Sequence, residues 1–382
     1  MEIQRTLDLR ELLEKKSHFL LGPRSTGKTT LIRSQLKKAV LIDLLKSAWE
    51  QRLLKNPSDL EAMILAQNEK PSVVVIDEVQ KVPSLLNEVH RLIEEKKWRF
   101  LLTGSSARKL KGENINLLAG RAWTAHLYPL TWRELGSKFK LEHYLLYGGL
   151  PQVYGSRYPQ QELEAYAHTY LQEEIRAEAY VRKIIAFSRF LELAALSNTQ
   201  LLNFTQIGSD TETPPSTIRE YYWLLEDTLL GHLLPPWTRS KKRKAIQTAK
   251  FYFFDIGVTH ALAQVQFLDR HSDLYGRAFE HFLYMEIKAC LDYLGKKQKM
   301  SFWRSINGQE VDFILGDEIA IEVKSTSKVS SSHLKGIEAL QEENICKNFY
   351  LVSQDPIALK RGNLFILPWQ QFLEKLWEGK II

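Results

Sequence analysis

The stretch Gly22-Pro23-Arg24-Ser25-Thr26-Gly27-Lys28-Thr29 lies between a short apolar run at residues 18–21 and a helix-forming stretch at residues 30–39. A strand, then G-x4-G-K-[ST], then a helix predicts a loop that wraps phosphate groups. Gly22 and Gly27 let backbone N–H groups turn inward, and the amino end of the following helix favours negative charge. In that frame Lys28 reaches the β and γ phosphates and Thr29 offers its hydroxyl to Mg²⁺. Pro23, Arg24, Ser25 and Thr26 form the loop between the glycines, and Thr30 continues the first turn. ATP and Mg²⁺ are the expected cofactors.

Moving outward, Val73-Val74-Val75-Ile76-Asp77-Glu78 is a continuous apolar run that ends in two acids. A buried parallel strand that opens on a ligand at its carboxyl end has this form. Asp77 is expected to hold Mg²⁺, and Glu78 to orient or deprotonate the attacking water, a task that binding alone does not require. A third strand at residues 99–102 leads into Thr103-Gly104-Ser105-Ser106. Its hydroxyls, Ser105 among them, are expected to sense the γ-phosphate from between the two motifs.

Together with Asp77-Glu78-Val79-Gln80-Lys81-Val82-Pro83, Leu118-Ala119-Gly120-Arg121 and Tyr147-Gly148-Gly149-Leu150-Pro151, these residues resemble bacterial and archaeal AAA-type ATP-binding proteins with an uncharacterised C-terminal region. The resemblance spans nearly the whole chain. It implies a P-loop AAA-like ATPase core in an α/β fold, homo-oligomerisation, and Arg121 or Arg108 as the charge-stabilising arginine.

Residues 131–180 read as a helical connector. Between 184 and 254 come three helical stretches, a turn containing Pro214 and Pro215, and two strands, the order of a helix-turn-helix with a wing. The wing tip is expected to carry Lys241, Lys242, Arg243 and Lys244 as contacts to a nucleic-acid backbone. The acids Glu220, Glu226 and Asp227 on the third helix speak against base reading, so a regulatory role within the chain stands beside DNA binding.

The last third holds a helix with Glu280, an alternating strand Glu310-Val311-Asp312-Phe313-Ile314-Leu315, and a second strand Ile319-Ala320-Ile321-Glu322-Val323-Lys324. The order Glu280, Asp312, Glu322-Val323-Lys324 resembles the PD-(D/E)xK nuclease superfamily, with Val311 where that family often has proline. The resemblance implies a restriction-endonuclease-like α/β domain. Asp312 and Glu322 would coordinate Mg²⁺, Glu280 would complete the site, and Lys324 would position the attacking water.

The chain has 382 residues, 44% hydrophobic and 25% charged, which predicts ordinary globular domains and excludes a disordered or fibrous protein. Three domains are expected: residues 1–130, 131–260 and 261–382. Lys and Arg number 52 against 45 Asp and Glu, for a net charge of +7, and the excess lies in residues 1–130 and 241–260. That placement suits polyphosphate ligands. No apolar run approaches a membrane span, the first 16 residues lack a secretory h-region, and two cysteines make no framework, so a cytoplasmic location is expected. The expected function is an ATPase whose nucleotide state controls a winged helix and a nuclease-like domain on DNA. The alternative is an ATP-driven signalling or remodelling switch with a non-catalytic C-terminal platform.

Overall fold

A computed structural model of the chain describes residues 3–105, 118, 120–171, 184–240 and 242–382. Five strands form the first sheet: β1 (Ser17–Leu21), β2 (Val40–Asp43), β3 (Val73–Asp77), β4 (Arg99–Gly104) and β5 (Ala122–His126). Their order is β2-β3-β4-β1-β5, and every neighbouring pair is parallel. Parallel strands joined by crossover helices are covered on both faces, so they must be apolar throughout. Val74, Val75 and Ile76 are accordingly fully buried.

Helices α1 (Leu9–Lys15), α2 (Lys28–Gln35), α3 (Ser47–Lys55), α4 (Asp59–Gln67) and α5 (Leu85–Lys96) accompany this sheet. Helix α5 buries Leu85, Leu86, Val89, Leu92 and Ile93, the stripe expected of a period near 3.6, against a core that includes Ile42, Val74, Ile76, Phe100 and Leu102. The topology places β4 between β1 and β3, so the carboxyl ends of three adjacent strands converge on one edge.

Helices α6 (Ile184–Leu196), α7 (Phe204–Asp210) and α8 (Pro215–Asp227) precede an antiparallel pair, β6 (Gly231–Leu234) and β7 (Lys250–Phe253). Pro215 opens α8, where its missing N–H costs nothing. Asn203 caps α7 by accepting the Gln206 N–H at 3.0 Å. The hairpin strands lie where the wing was expected, but the segment joining them does not project as a free tip. It runs along the edge of β8 (Met300–Arg304): Trp237 N–H donates to the Phe302 carbonyl at 2.6 Å, and Ile246 N–H to the Arg304 carbonyl at 2.9 Å.

The second large sheet continues through β9 (Glu310–Leu315), β10 (Ile319–Lys324), β11 (Asn348–Ser353), β12 (Leu359–Arg361) and β13 (Leu364–Pro368). Its order is β12-β13-β11-β10-β9-β8; β8, β9 and β10 alternate in direction, and β10 and β11 run parallel. Helix α9 (Asp273–Tyr293) precedes this sheet, α10 (Lys335–Gln341) supplies the crossover from β10 to β11, and α11 (Trp369–Trp377) closes the chain. A Cβ at Gly336 of α10 would fall 1.9 Å from the Glu310 carbonyl oxygen, so only glycine lets this helix pack on β9.

The described residues form two compact units. Residues 3–130 with Trp223–Leu230 make one, and the remaining residues make the other. The edge pairing just described ties Trp237 and Ile246 to the C-terminal sheet within the second unit. Among the described residues no helix is long and apolar enough to cross a membrane.

Candidate functional site

In the first unit β1 feeds directly into the loop at residues 22–27. Ser25 (φ 63°) and Gly27 (φ 95°) both take left-handed backbone, which bends the chain around before α2 begins. Gly22 packs so closely that a Cβ there would lie 2.5 Å from the Leu127 carbonyl oxygen. Pro23 and Thr26 are buried, Arg24 is half-buried, and Thr30 is exposed. The Thr26 hydroxyl donates to the Pro23 carbonyl at 2.9 Å and so pins the loop. Lys28 is buried and folds back over it, donating to the Gly22 carbonyl at 2.6 Å and the Pro23 carbonyl at 3.0 Å.

The structure brings the two motifs together. The Thr29 hydroxyl lies 3.1 Å from Asp77 Oδ2, and the other oxygen of Asp77 accepts from the Thr103 hydroxyl. Thr103 in turn accepts the Glu78 N–H at 3.1 Å, so the β4 end bridges the two acids. Glu78 stands in left-handed backbone (φ 60°, ψ 45°), a conformation that costs a non-glycine residue free energy and recurs where function fixes a side chain. Its carboxylate accepts from Gln80 Nε2 at 2.5 Å, and the same amide reaches the Ser105 hydroxyl at 3.3 Å. The sequence reading missed Gln80 as a holder of Glu78; its signal was a polar side chain two residues past the acid, in a segment that turns immediately after β3. Ser106 and Arg108 lie outside the described residues. Arg121 donates to Glu94 of α5 at 2.5 Å.

A hydroxyl and a carboxylate oxygen 3.1 Å apart at a helix start are the donor set that Mg²⁺ prefers, so Thr29 and Asp77 fit the expected ion.

The second acidic constellation has a different character. Glu280 on α9 and Glu310 and Asp312 on β9 converge, but on the ammonium of Lys250 from β7. Lys250 Nζ is 3.1 Å from Glu280, 2.6 Å from Glu310 and 3.8 Å from Asp312. Glu280 also accepts from the Tyr252 hydroxyl at 2.5 Å, and Glu310 pairs with Arg304 at 3.2 Å. Asp312 accepts the Val323 N–H at 2.8 Å, which locks β9 to β10 at the site. Lys324 and Glu322, on the same side of β10 as period two predicts, pair at 2.5 Å.

Electrostatics follow the geometry. Burial pulls Lys250 toward neutrality, but Glu280, Glu310 and Asp312 outweigh it and hold the ammonium above its ordinary range. Burial pushes Glu280 up to about 7, with Lys250 opposing and Asp312 assisting. Glu322 is raised well above the usual carboxylate range by burial and then by Asp312, and one of its oxygens is buried with no hydrogen-bond partner among the described residues.

The acids that were expected to hold Mg²⁺, Asp312, Glu322 and Glu280, meet ammonium groups in this structure. Lys250 Nζ occupies the point on which the carboxylates converge, and no group of three or more His, Cys, Asp or Glu among the described residues is arranged to hold a metal ion. A divalent ion here would have to share these carboxylates with the ammonium, which repels it. Sequence reasoning missed Lys250, Tyr252 and Glu310. Glu310 was accessible, because it stands two residues before Asp312 and so shares its face of the strand.

Beside this cluster opens a cavity of about 1100 Å³, lined by Arg270, Arg277, Arg304 and Lys324 as well as Glu280 and Asp312. The expected wing contacts lie elsewhere. Lys242 and Arg243 give their backbone N–H groups to Glu343, and the Arg243 guanidinium pairs with Glu342 at 2.7 Å and donates to the Ala339 carbonyl at 2.8 Å. Arg243 is thus held against the end of α10 in this structure. Lys242 and Lys244 are exposed, and Lys241 lies outside the described residues.

The motif at residues 147–151 also has a structural cause. Gly148 has φ 74° and a Cβ there would lie 2.2 Å from Asp255, while the Gly149 N–H donates to Asp255 at 2.8 Å.

Comparison with known proteins matches residues 14–136 to an AAA domain, residues 138–269 to a domain of unknown function (DUF8612), and residues 275–372 to another (DUF4143). The first unit therefore contains an AAA-type domain, with which its sheet order and loop geometry agree. An uncharacterised protein of Haemophilus influenzae is 24% identical over 353 residues, covering 83% of this chain and 85% of the relative. Among solved structures, Aeropyrum pernix ORC1 in complex with DNA is 11% identical, covering 69% of this chain and 93% of that one, with a TM-score of 0.30. Aeropyrum pernix ORC2, in ADPNP–ADP complexes, is 15% identical, covering 68% and 91%, with a TM-score of 0.28.

Proposed function

We propose that the protein is a magnesium-dependent ATPase whose nucleotide state controls its winged-helix and nuclease-like unit, with DNA as the partner. The observation that carries the ATPase reading is the meeting of Thr29, Asp77 and Glu78 at the converging ends of β1, β4 and β3. Lys28 neutralises charge on the β and γ phosphates once it exchanges the loop carbonyls for phosphate oxygens. Glu78, held by Gln80, orients the attacking water and takes its proton. Magnesium, when bound by Thr29 and Asp77, supplies neutralisation of the phosphate charge. Phosphate release from Mg²⁺-ATP tests this: the intact protein turns over, and Lys28→Ala loses at least about a hundredfold. Undiminished turnover in Lys28→Ala sinks the assignment.

For the C-terminal unit, two actions remain: cleavage through Asp312, Glu322 and Lys324, or binding that ATP switches on and off. The Lys250 ammonium among the carboxylates favours binding without cleavage. Arg270, Arg277 and Lys324 on the cavity wall support a phosphate-bearing ligand. Supercoiled plasmid and single-stranded DNA with Mg²⁺ or Mn²⁺, with and without ATP, are expected to stay intact. Cleavage that disappears in Asp312→Ala would restore the nuclease reading.

A further inference from the structure

We propose that Lys250 is a built-in cation that stands in for a divalent metal at the C-terminal acidic site, so that the site becomes a metal site only when this side chain is withdrawn or replaced. The inference goes beyond the ATPase reading and stands whether or not ATP is hydrolysed.

Three observations converge. First, Lys250 is almost wholly buried and its ammonium lies within 3.1 Å of carboxylate oxygens from two separate elements, Glu280 on α9 and Glu310 on β9, with Asp312 at 3.8 Å. A long flexible side chain is not buried in this way without charge partners, because the ordering and desolvation costs are large. Second, the site is otherwise well furnished for a cation. Asp312 is oriented by the Val323 N–H, Tyr252 orients Glu280, and Glu322 keeps one buried oxygen without a partner among the described residues. Third, the ammonium comes from a different sheet. β7 pairs with β6 in a two-stranded ribbon, and Lys250 also bridges to Leu201, whereas Glu310, Asp312 and Glu322 belong to the six-stranded sheet. The cation and the β9 and β10 carboxylates are therefore carried by different sheets of one compact unit. The ribbon is held in place by the Phe302 ring under Lys250, 5.4 Å from the ammonium, and by the edge pairing of residues 235–246 with β8.

Loss of the lysine would leave these buried carboxylates without their cation, at a cost in stability. A divalent ion of oxygen preference is the natural replacement, and Glu280, Glu310, Asp312 and Glu322 supply its ligand type.

Mn²⁺ binding by the full chain without nucleotide, followed by paramagnetic resonance of the free ion, tests the proposal. Wild type and Lys250→Arg are expected to show no Asp312-dependent binding. Lys250→Gln is expected to gain one site, lost again when Asp312→Asn is added. Because Lys250→Gln is expected to be less stable, its thermal unfolding is measured alongside. Mn²⁺ should raise its midpoint and leave that of wild type unchanged. Asp312-dependent Mn²⁺ binding by wild type overturns the proposal, and so does a Lys250→Gln protein that Mn²⁺ neither binds nor stabilises.

Discussion

Two acidic sites at strand ends differ in what answers the carboxylates. At the end of β3, Asp77 is met by the hydroxyls of Thr29 and Thr103, neutral groups that leave the charge to be balanced by an incoming cation. At β9, Glu310 and Asp312 are met by Lys250 and Arg304, and the charge is already answered from within the chain. Residues of the same type thus prepare one site for a ligand and seal the other. The acids alone do not distinguish the two cases; their counter-charges do.

The largest expected effect that sharpens this contrast is kinetic. Glu78→Gln should retain nucleotide binding and lose about 10² to 10⁴ in turnover, as expected for removal of a group that handles the attacking water's proton. Asp312→Asn should leave turnover unchanged. Equal losses in phosphate release from both variants would break the comparison.

Next comes stability. Lys250→Gln should cost about 3–5 kcal/mol in denaturant unfolding without added metal, the range for breaking a buried ion pair. Thr29→Ala, which removes only a neutral donor, should cost less than about 1.5 kcal/mol. A small loss in Lys250→Gln would mean that the carboxylates answer one another's charge by protonation instead. Gly336→Ala should cost about 1–3 kcal/mol by thermal unfolding, since its Cβ meets the Glu310 carbonyl at 1.9 Å and must push β9 away from α10.

A further expected effect is a pH slope. Glu286 is another buried acid; among the described residues it accepts from the Trp132 N–H at 2.6 Å and Trp377 Nε1 at 2.9 Å, and burial pushes it up to about 8. Its folded value lies above its unfolded value, so its stabilising contribution is full below about 4.5 and is lost as pH rises through about 8. Denaturant midpoints between pH 5 and 8 should fall less steeply in Glu286→Gln than in wild type. Identical slopes would show that Glu286 keeps its charge with neutral donors alone.

Much of the first unit was legible because its determinants are contiguous. Eight residues specify the phosphate loop, six specify β3 with its acids, and their geometry follows from chain direction. The strand and helix order of the last third was legible for the same reason, through the alternation in β9 and β10. Lys250 was not, because its partners lie 30 to 62 residues away and only folding brings the ribbon over the sheet. One signal was available: a single lysine opening an otherwise apolar strand at Lys250–Phe253. The loop at residues 235–249 misled for the opposite reason. Its basic cluster suggested a free tip; Lys242 and Lys244 are exposed, but the backbone around them pairs with β8 and with the buried Glu343. The glycines at 148 and 149 served Asp255, a packing demand invisible to local pattern.

The left-handed backbone at Glu78 sets stability against activity at one position. A glycine there would adopt φ 60° without steric penalty, for a gain of up to about 1 kcal/mol. It would also remove the carboxylate to which the proposed mechanism gives the attacking water's proton. A laboratory selection for thermostability alone would therefore reward Glu78→Gly, and the more heat-resistant protein it returned would be the one that no longer consumes ATP.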